Sequence, residues 1–195
     1  MLATVATSAA QLPSSGKRYP RLIVRNATIL EGNGTPASGP KDIVIEKGLI
    51  SDIVPIDAGA LKRPGFKRPV GDVEIDAAGK YIIPGLINLH GHVQEERAGI
   101  PQPLDYQLKL WLACGITTVR DVGSDLDRTL ALRRESAEGR VAAPRIFVYP
   151  FFNADPAPRN ASEARARVRE LKAKGTDGIK ILDVYRDVME ALEDE

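Results

Sequence analysis

Both histidines of the chain stand two residues apart, in Asn88-Leu89-His90-Gly91-His92. They close an apolar run, residues 86–93, that reads as a strand. Side chains alternate faces along a strand, so this spacing puts Asn88, His90 and His92 on one face and Ile87, Leu89 and Val93 on the other. The two histidine Cα atoms are then about 6.6 Å apart. Two imidazoles bridge such a span by binding one cation at about 2.0–2.1 Å each. Gly91 between them admits a close neighbour. The plainer alternative is two polar residues at a strand exit, bonded to backbone or water. The cation is favoured because the pair ends an apolar strand entered through Pro84-Gly85, and neutral imidazoles crowded into a barrel mouth need a common acceptor.

Lys180 lies in Asp177-Gly178-Ile179-Lys180-Ile181-Leu182, whose apolar flanks suit a buried strand. A lysine turned into a barrel is costly when charged, which lowers its pKa and exposes a nucleophilic amine. That amine can add carbon dioxide, and the resulting carbamate can bridge two metals as a carboxylate would. The alternative is a lysine reaching to the barrel rim or pairing with Asp121 or Asp183. Arg120 and Asp121 face opposite sides of their strand, and Asp121 suits either the support of a ligand histidine or a structural role. Phe151, Phe152 and the loop to Asn160 leave a strand end where barrel enzymes place substrate loops, or else form an ordinary connector. Glu95 and Glu96 read as solvated charges.

Composition narrows the field. The chain has 195 residues, 43% of them hydrophobic, with 27 basic against 26 acidic side chains and a net charge of +1. Such a balance lacks the basic footprint of a nucleic-acid binder, and the apolar content excludes a disordered chain. The single Cys114 excludes an internal disulfide framework and a thiolate-rich metal site, and reads as a core thiol near a helix end. Residues 1–20 lack the positive segment of an export signal and read as a disordered leader, which makes the expected location cytoplasmic; a truncated signal would instead imply a secreted or periplasmic protein. No window approaches the roughly 20 apolar residues of a membrane span.

The elements that must position these residues fall into two regions. Residues 21–83 read as a small β domain: a strand over 21–30, a hairpin over 41–55 turning at Lys47-Gly48, and a third run over 73–83 broken by a turn at 77–80. The basic stretch 62–69 reads as an exposed loop. Residues 84–195 alternate strands and helices, as parallel βα units do. Strands are expected over 86–93, 117–122, 145–152 and 178–184. The intervening helices are a first one capped by Asp105 and ending at Gly115, a second over 126–138, and a third opened by Asn160 with Glu163 and ending at Gly175. A last helix begins near Arg186. The fold class is therefore α/β: a partial (β/α)8 barrel of four βα units behind a small β-sandwich-like domain.

Taken together, three segments resemble the amidohydrolase superfamily. Residues 75–93, IDAAGKYIIPGLINLHGHV, are similar to that family's passage from its small β domain into the first barrel strand. Residues 115–123, GITTVRDVG, and 177–182, DGIKIL, continue the likeness, and the second of the three favours the branch of imidazolonepropionases and metal-dependent Xaa-Pro dipeptidases. The resemblance covers nearly all of residues 21–195. It implies that His90 and His92 are ligands of the more buried of two divalent ions, commonly zinc, and that Lys180 is the carboxylated lysine bridging them. A metal-bound hydroxide would then attack a carbonyl carbon and release an amine from a small-molecule amide.

The family pattern also calls for two later histidines and an aspartate on the last barrel strand. No histidine follows Lys180, and only Asp183, Asp187 and Asp194 follow as aspartates. The catalytic residues are therefore not identifiable in this chain, which is expected to be the N-terminal portion of the hydrolase and inactive alone. A closed barrel takes about 250 residues, so about half of one is present. The missing part is expected to come from the rest of a truncated product, or in trans from a homo-oligomer or a second chain. The competing reading is a non-catalytic remnant or assembly module.

Overall fold

A computed structural model describes residues 18–195. The leader expected over 1–20 lies outside the described residues as far as position 17. Two compact units form: one from the residues up to Ile29 with Pro36–Ile82, the other from Leu30–Thr35 with Ile83–Glu195.

The first unit is a sheet of β1 (Arg21–Ile29), β2 (Ser38–Glu46), β3 (Leu49–Pro55), β4 (Val73–Asp76) and β5 (Tyr81–Ile82), with the short helix α1 (Ala58–Leu61). The order is β3-β2-β1-β4, and β5 also pairs with β1. The β2–β3 hairpin turns where the sequence requires, with Glu46 opposite Leu49 and both Lys47 and Gly48 at positive φ, 51° and 80°. A two-residue turn of this kind matches the twist of the strands it joins. Ala27, Ile29, Ile43 and Ala77 form its core with Val24, Ile45 and Ile82.

Asp42 on β2 is fully buried and charged, which needs compensation. Arg68 clasps it through Nε at 2.7 Å and Nη2 at 2.8 Å, Arg25 Nη1 donates at 2.9 Å, and the N–H of Asn26 donates at 3.0 Å. Burial pushes the Asp42 carboxyl up, and the bonds from Arg68, Asn26 and Arg25 together outweigh it and hold the group below the usual aspartate range. Residues 62–69 are thus not a purely solvated loop: Arg68 is half-buried and fastens the stretch to β2.

The second unit carries the βα alternation in β6 (Leu86–Gly91), β7 (Glu96–Arg97), β8 (Ile100–Pro101), α2 (Leu104–Ala113), β9 (Ile116–Val122), α3 (Leu126–Ala137), β10 (Arg145–Tyr149), α4 (Ala161–Lys174) and α5 (Arg186–Asp194). β10, β9 and β6 make an open parallel sheet in that order. Its helix-covered face buries Val119, Ile146 and Val148 among Leu104, Leu108, Leu130 and Leu132. The other face leaves Ile87 and Leu89 about three-fifths exposed, at 61% and 60%. A closed barrel would fill that inner face with further strands.

Helix ends follow local chemistry. Asn160 Oδ1 accepts the N–H of Glu163 at 3.0 Å, and Glu163 in return accepts the N–H of Arg159 at 2.9 Å, so the expected cap of α4 forms. Gly175 at φ 81° closes that helix. Asp105, expected to cap α2, lies instead in its first turn, where its charge suits the helix dipole; Pro103 occupies the cap. Cys114, expected in the core, is an exposed thiol at the end of α2. No helix among the described residues is long and apolar enough to cross a membrane.

The strand expected over 178–184 reduces to one bridge, Phe151 with Lys180. Lys180 N–H donates to Pro150 C=O at 2.8 Å and Phe152 N–H donates to Lys180 C=O at 2.9 Å. One step earlier the ladder would need an N–H from residue 150, and proline has none. β10 stops at Tyr149, where its partner β9 ends at Val122, rather than at residue 152.

Candidate metal centre

β6 and β9 run in register from Ile87 opposite Thr118 to Asn88 opposite Val119, and then slip, so that Gly91 faces Asp121. Two residues, Leu89 and His90, therefore oppose Arg120 alone, which is a β-bulge. The bulge breaks the alternation expected along this strand. Asn88 and Gly91 share the helix-covered face, since their partners Val119 and Asp121 are buried there, and Val93 is buried with them. His90 is not on the face of Asn88, as strict alternation would have it.

His90 and His92 are nevertheless brought together. Their ring centroids are 5.5 Å apart, edge to face at 62°. Gly91 between them packs closely on β9: a Cβ there would overlap Val119 Cγ2. His90 is exposed and His92 half-buried.

The backbone around the pair is held by side chains. Arg120 Nε donates to Leu89 C=O at 2.7 Å, and Gln107 Nε2 donates to His92 C=O at 3.1 Å. The Val93 N–H donates to Asp121 Oδ1 at 2.8 Å. Asp121, fully buried, also accepts from the N–H and hydroxyl of Ser124, so its carboxylate ties two loops rather than touching an imidazole. Gln107 carries no sequence signal beyond its place on α2; only the fold brings it beneath His92.

Lys180 sits at the opposite border of the sheet, with β10 and β9 between its segment and β6. It is half-buried, and its amine pairs with neither Asp121 nor Asp183 among the described residues. Phe152 is core rather than loop surface, packed with Ala164 and Val188. Beyond it, Asn153, Pro158, Arg159, Asp183 and Tyr185 help line a cleft of about 220 Å³. Glu95 is exposed and paired with Arg128 at 2.9 Å. Among the described residues no group of three His, Cys, Asp or Glu side chains converges on one point.

The β unit and the parallel βα units that follow it share their fold with part of several solved hydrolases. A solved Xaa-Pro dipeptidase with methionine in its active site superposes with a TM-score of 0.70 over 89% of this chain and 53% of that one, at 20% identity. Molinate hydrolase does so with a TM-score of 0.70 over 90% of this chain and 51% of that one, also at 20% identity. A dihydroorotase of a Thermoanaerobacter species is 33% identical over 75 residues, 38% of this chain and 15% of that protein. The chain thus spans about half the length of the solved structures it matches. No protein-family model matches it.

Proposed function

We propose that this chain is the N-terminal portion of a metal-dependent hydrolase of the amidohydrolase superfamily, acting on a carbon–nitrogen bond of a small amide, non-peptide or dipeptide-like. His90 and His92 are assigned as ligands of a divalent ion, most simply zinc, and Lys180 as the carboxylated lysine of a binuclear site. Such an ion supplies an activated water and polarises a carbonyl. The observation that carries this reading is the 5.5 Å separation of the two rings. Two imidazoles sharing a tetrahedral ion at about 2.0–2.1 Å have centroids about 5 Å apart, so the pair needs little movement to close on one. Neither ring nitrogen makes a hydrogen bond among the described residues, which leaves both free to ligate.

Two ligands and a lysine do not complete a catalytic shell. The exposed inner face at Ile87 and Leu89 supports further βα units, on a longer chain or a partner, closing over the site. The test is metal analysis of the purified protein beside His90→Ala. Bound zinc that disappears in the variant supports the hydrolase; no bound metal in either favours a non-catalytic assembly module.

A further inference from the structure

We infer that Arg120, Gln107 and Asp121 are the positioning residues of the histidine pair, holding the rings together before any ion arrives. The inference rests on the metal reading of His90 and His92 and adds to it the groups that set their geometry. At the bulge, β6 departs from its ladder with β9 over residues 89 and 90, so the backbone there loses the regular partners that fix a strand. Three side chains take over. The guanidinium of Arg120 holds the carbonyl just before His90, the amide of Gln107 holds the carbonyl of His92, and the carboxylate of Asp121 holds the N–H just after it. The peptide before His90 is thereby held by Arg120 of β9, and the peptide after His92 by Gln107 of α2 and Asp121 of β9.

These groups are themselves fixed. Asp121 is wholly buried and doubly engaged by Ser124. Arg120 lies against Tyr149, its guanidinium carbon 5.3 Å from the ring centroid. None of the three touches an imidazole in these bonds, so each acts through the backbone. Ligands held in place in advance lose little freedom on binding, so groups that fix their backbone raise the affinity for an ion.

The experiment uses the whole chain with Arg120→Met and Gln107→Met, which keep bulk and remove the donors, and Leu130→Ala as a control that loosens the same core without removing a donor. Only two histidines are present, so the NMR contact between their ring protons is unambiguous in the metal-free protein. Cobalt(II) titration followed by its visible absorption gives the affinity. In Arg120→Met and Gln107→Met the ring–ring contact weakens or vanishes and cobalt affinity falls about two- to tenfold, while Leu130→Ala keeps both. An unchanged contact in the two methionine variants, or its equal loss in Leu130→Ala, overturns the inference. A wild-type chain that binds no cobalt removes the metal reading instead, and the ring–ring contact alone then decides the positioning role.

Discussion

Arg120 Nε donates to the carbonyl of Leu89 at 2.7 Å, at the place where β6 slips out of register with β9. Tyr149 backs the same guanidinium at 5.3 Å. A cation over an aromatic face contributes about 0.5–1 kcal/mol at sites open to water. Tyr149→Leu should cost the second unit about that much in urea unfolding, and Tyr149→Phe almost nothing. Equal losses in both would assign the effect to the hydroxyl.

Gly91→Ala should be damaging in a way that a second substitution repairs. The new methyl overlaps Val119 Cγ2, and overpacking of this sort costs about 1–3 kcal/mol. Val119→Ala removes the obstructing atom, so the double variant should recover part of that loss. A double-mutant cycle by denaturant unfolding, with no coupling between the two sites, would count against this packing.

Asp42 predicts an acid limit for the first unit. Its folded pKa is depressed, so its contribution is fully present above the unfolded value of about 3.9 and is lost as pH falls below that through the folded value. Urea midpoints followed from pH 7 down to 3 should therefore fall most steeply below about pH 4. Asp42→Asn should flatten this dependence. At pH 7 it should itself destabilise the unit, because Arg68 loses its charged partner and Arg25 keeps only Glu74. A variant with the wild-type pH profile would place the acid sensitivity elsewhere.

For α4 the test is a cap. Asn160→Ala removes the acceptor for the Glu163 N–H and should cost about 0.5–2 kcal/mol, whereas Asn160→Asp should be nearly neutral. Amide hydrogen exchange in the first turn of α4 would report the loss directly.

Features governed by neighbours in sequence were legible. The Lys47-Gly48 turn, the Asn160–Glu163 cap and the stop at Gly175 each depend on residues within one turn of each other, and each formed as expected. His90 and His92 also lie together, as their spacing suggested. What escaped depends on a second strand. Alternation along β6 cannot reveal a slip imposed by its pairing with β9, and so misplaced Asn88. The strand expected around Lys180 was undone by a missing N–H at Pro150, thirty positions earlier. The Asp42 cluster carried no sequence signal, because its partners Arg25 and Arg68 lie 17 and 26 positions away.

The exposed thiol of Cys114 is the chain's only cysteine, and it stands just before the N-terminal end of β9, whereas the histidines stand at the C-terminal end of the parallel strand beside it. A spin label attached there would sit one strand length, about 20 Å, from an ion held between the rings. That span lies within the range of pulsed electron resonance. Nature has thus supplied a single-site ruler: copper(II) added to the labelled chain would report its own position as a distance, with no residue near the histidines altered.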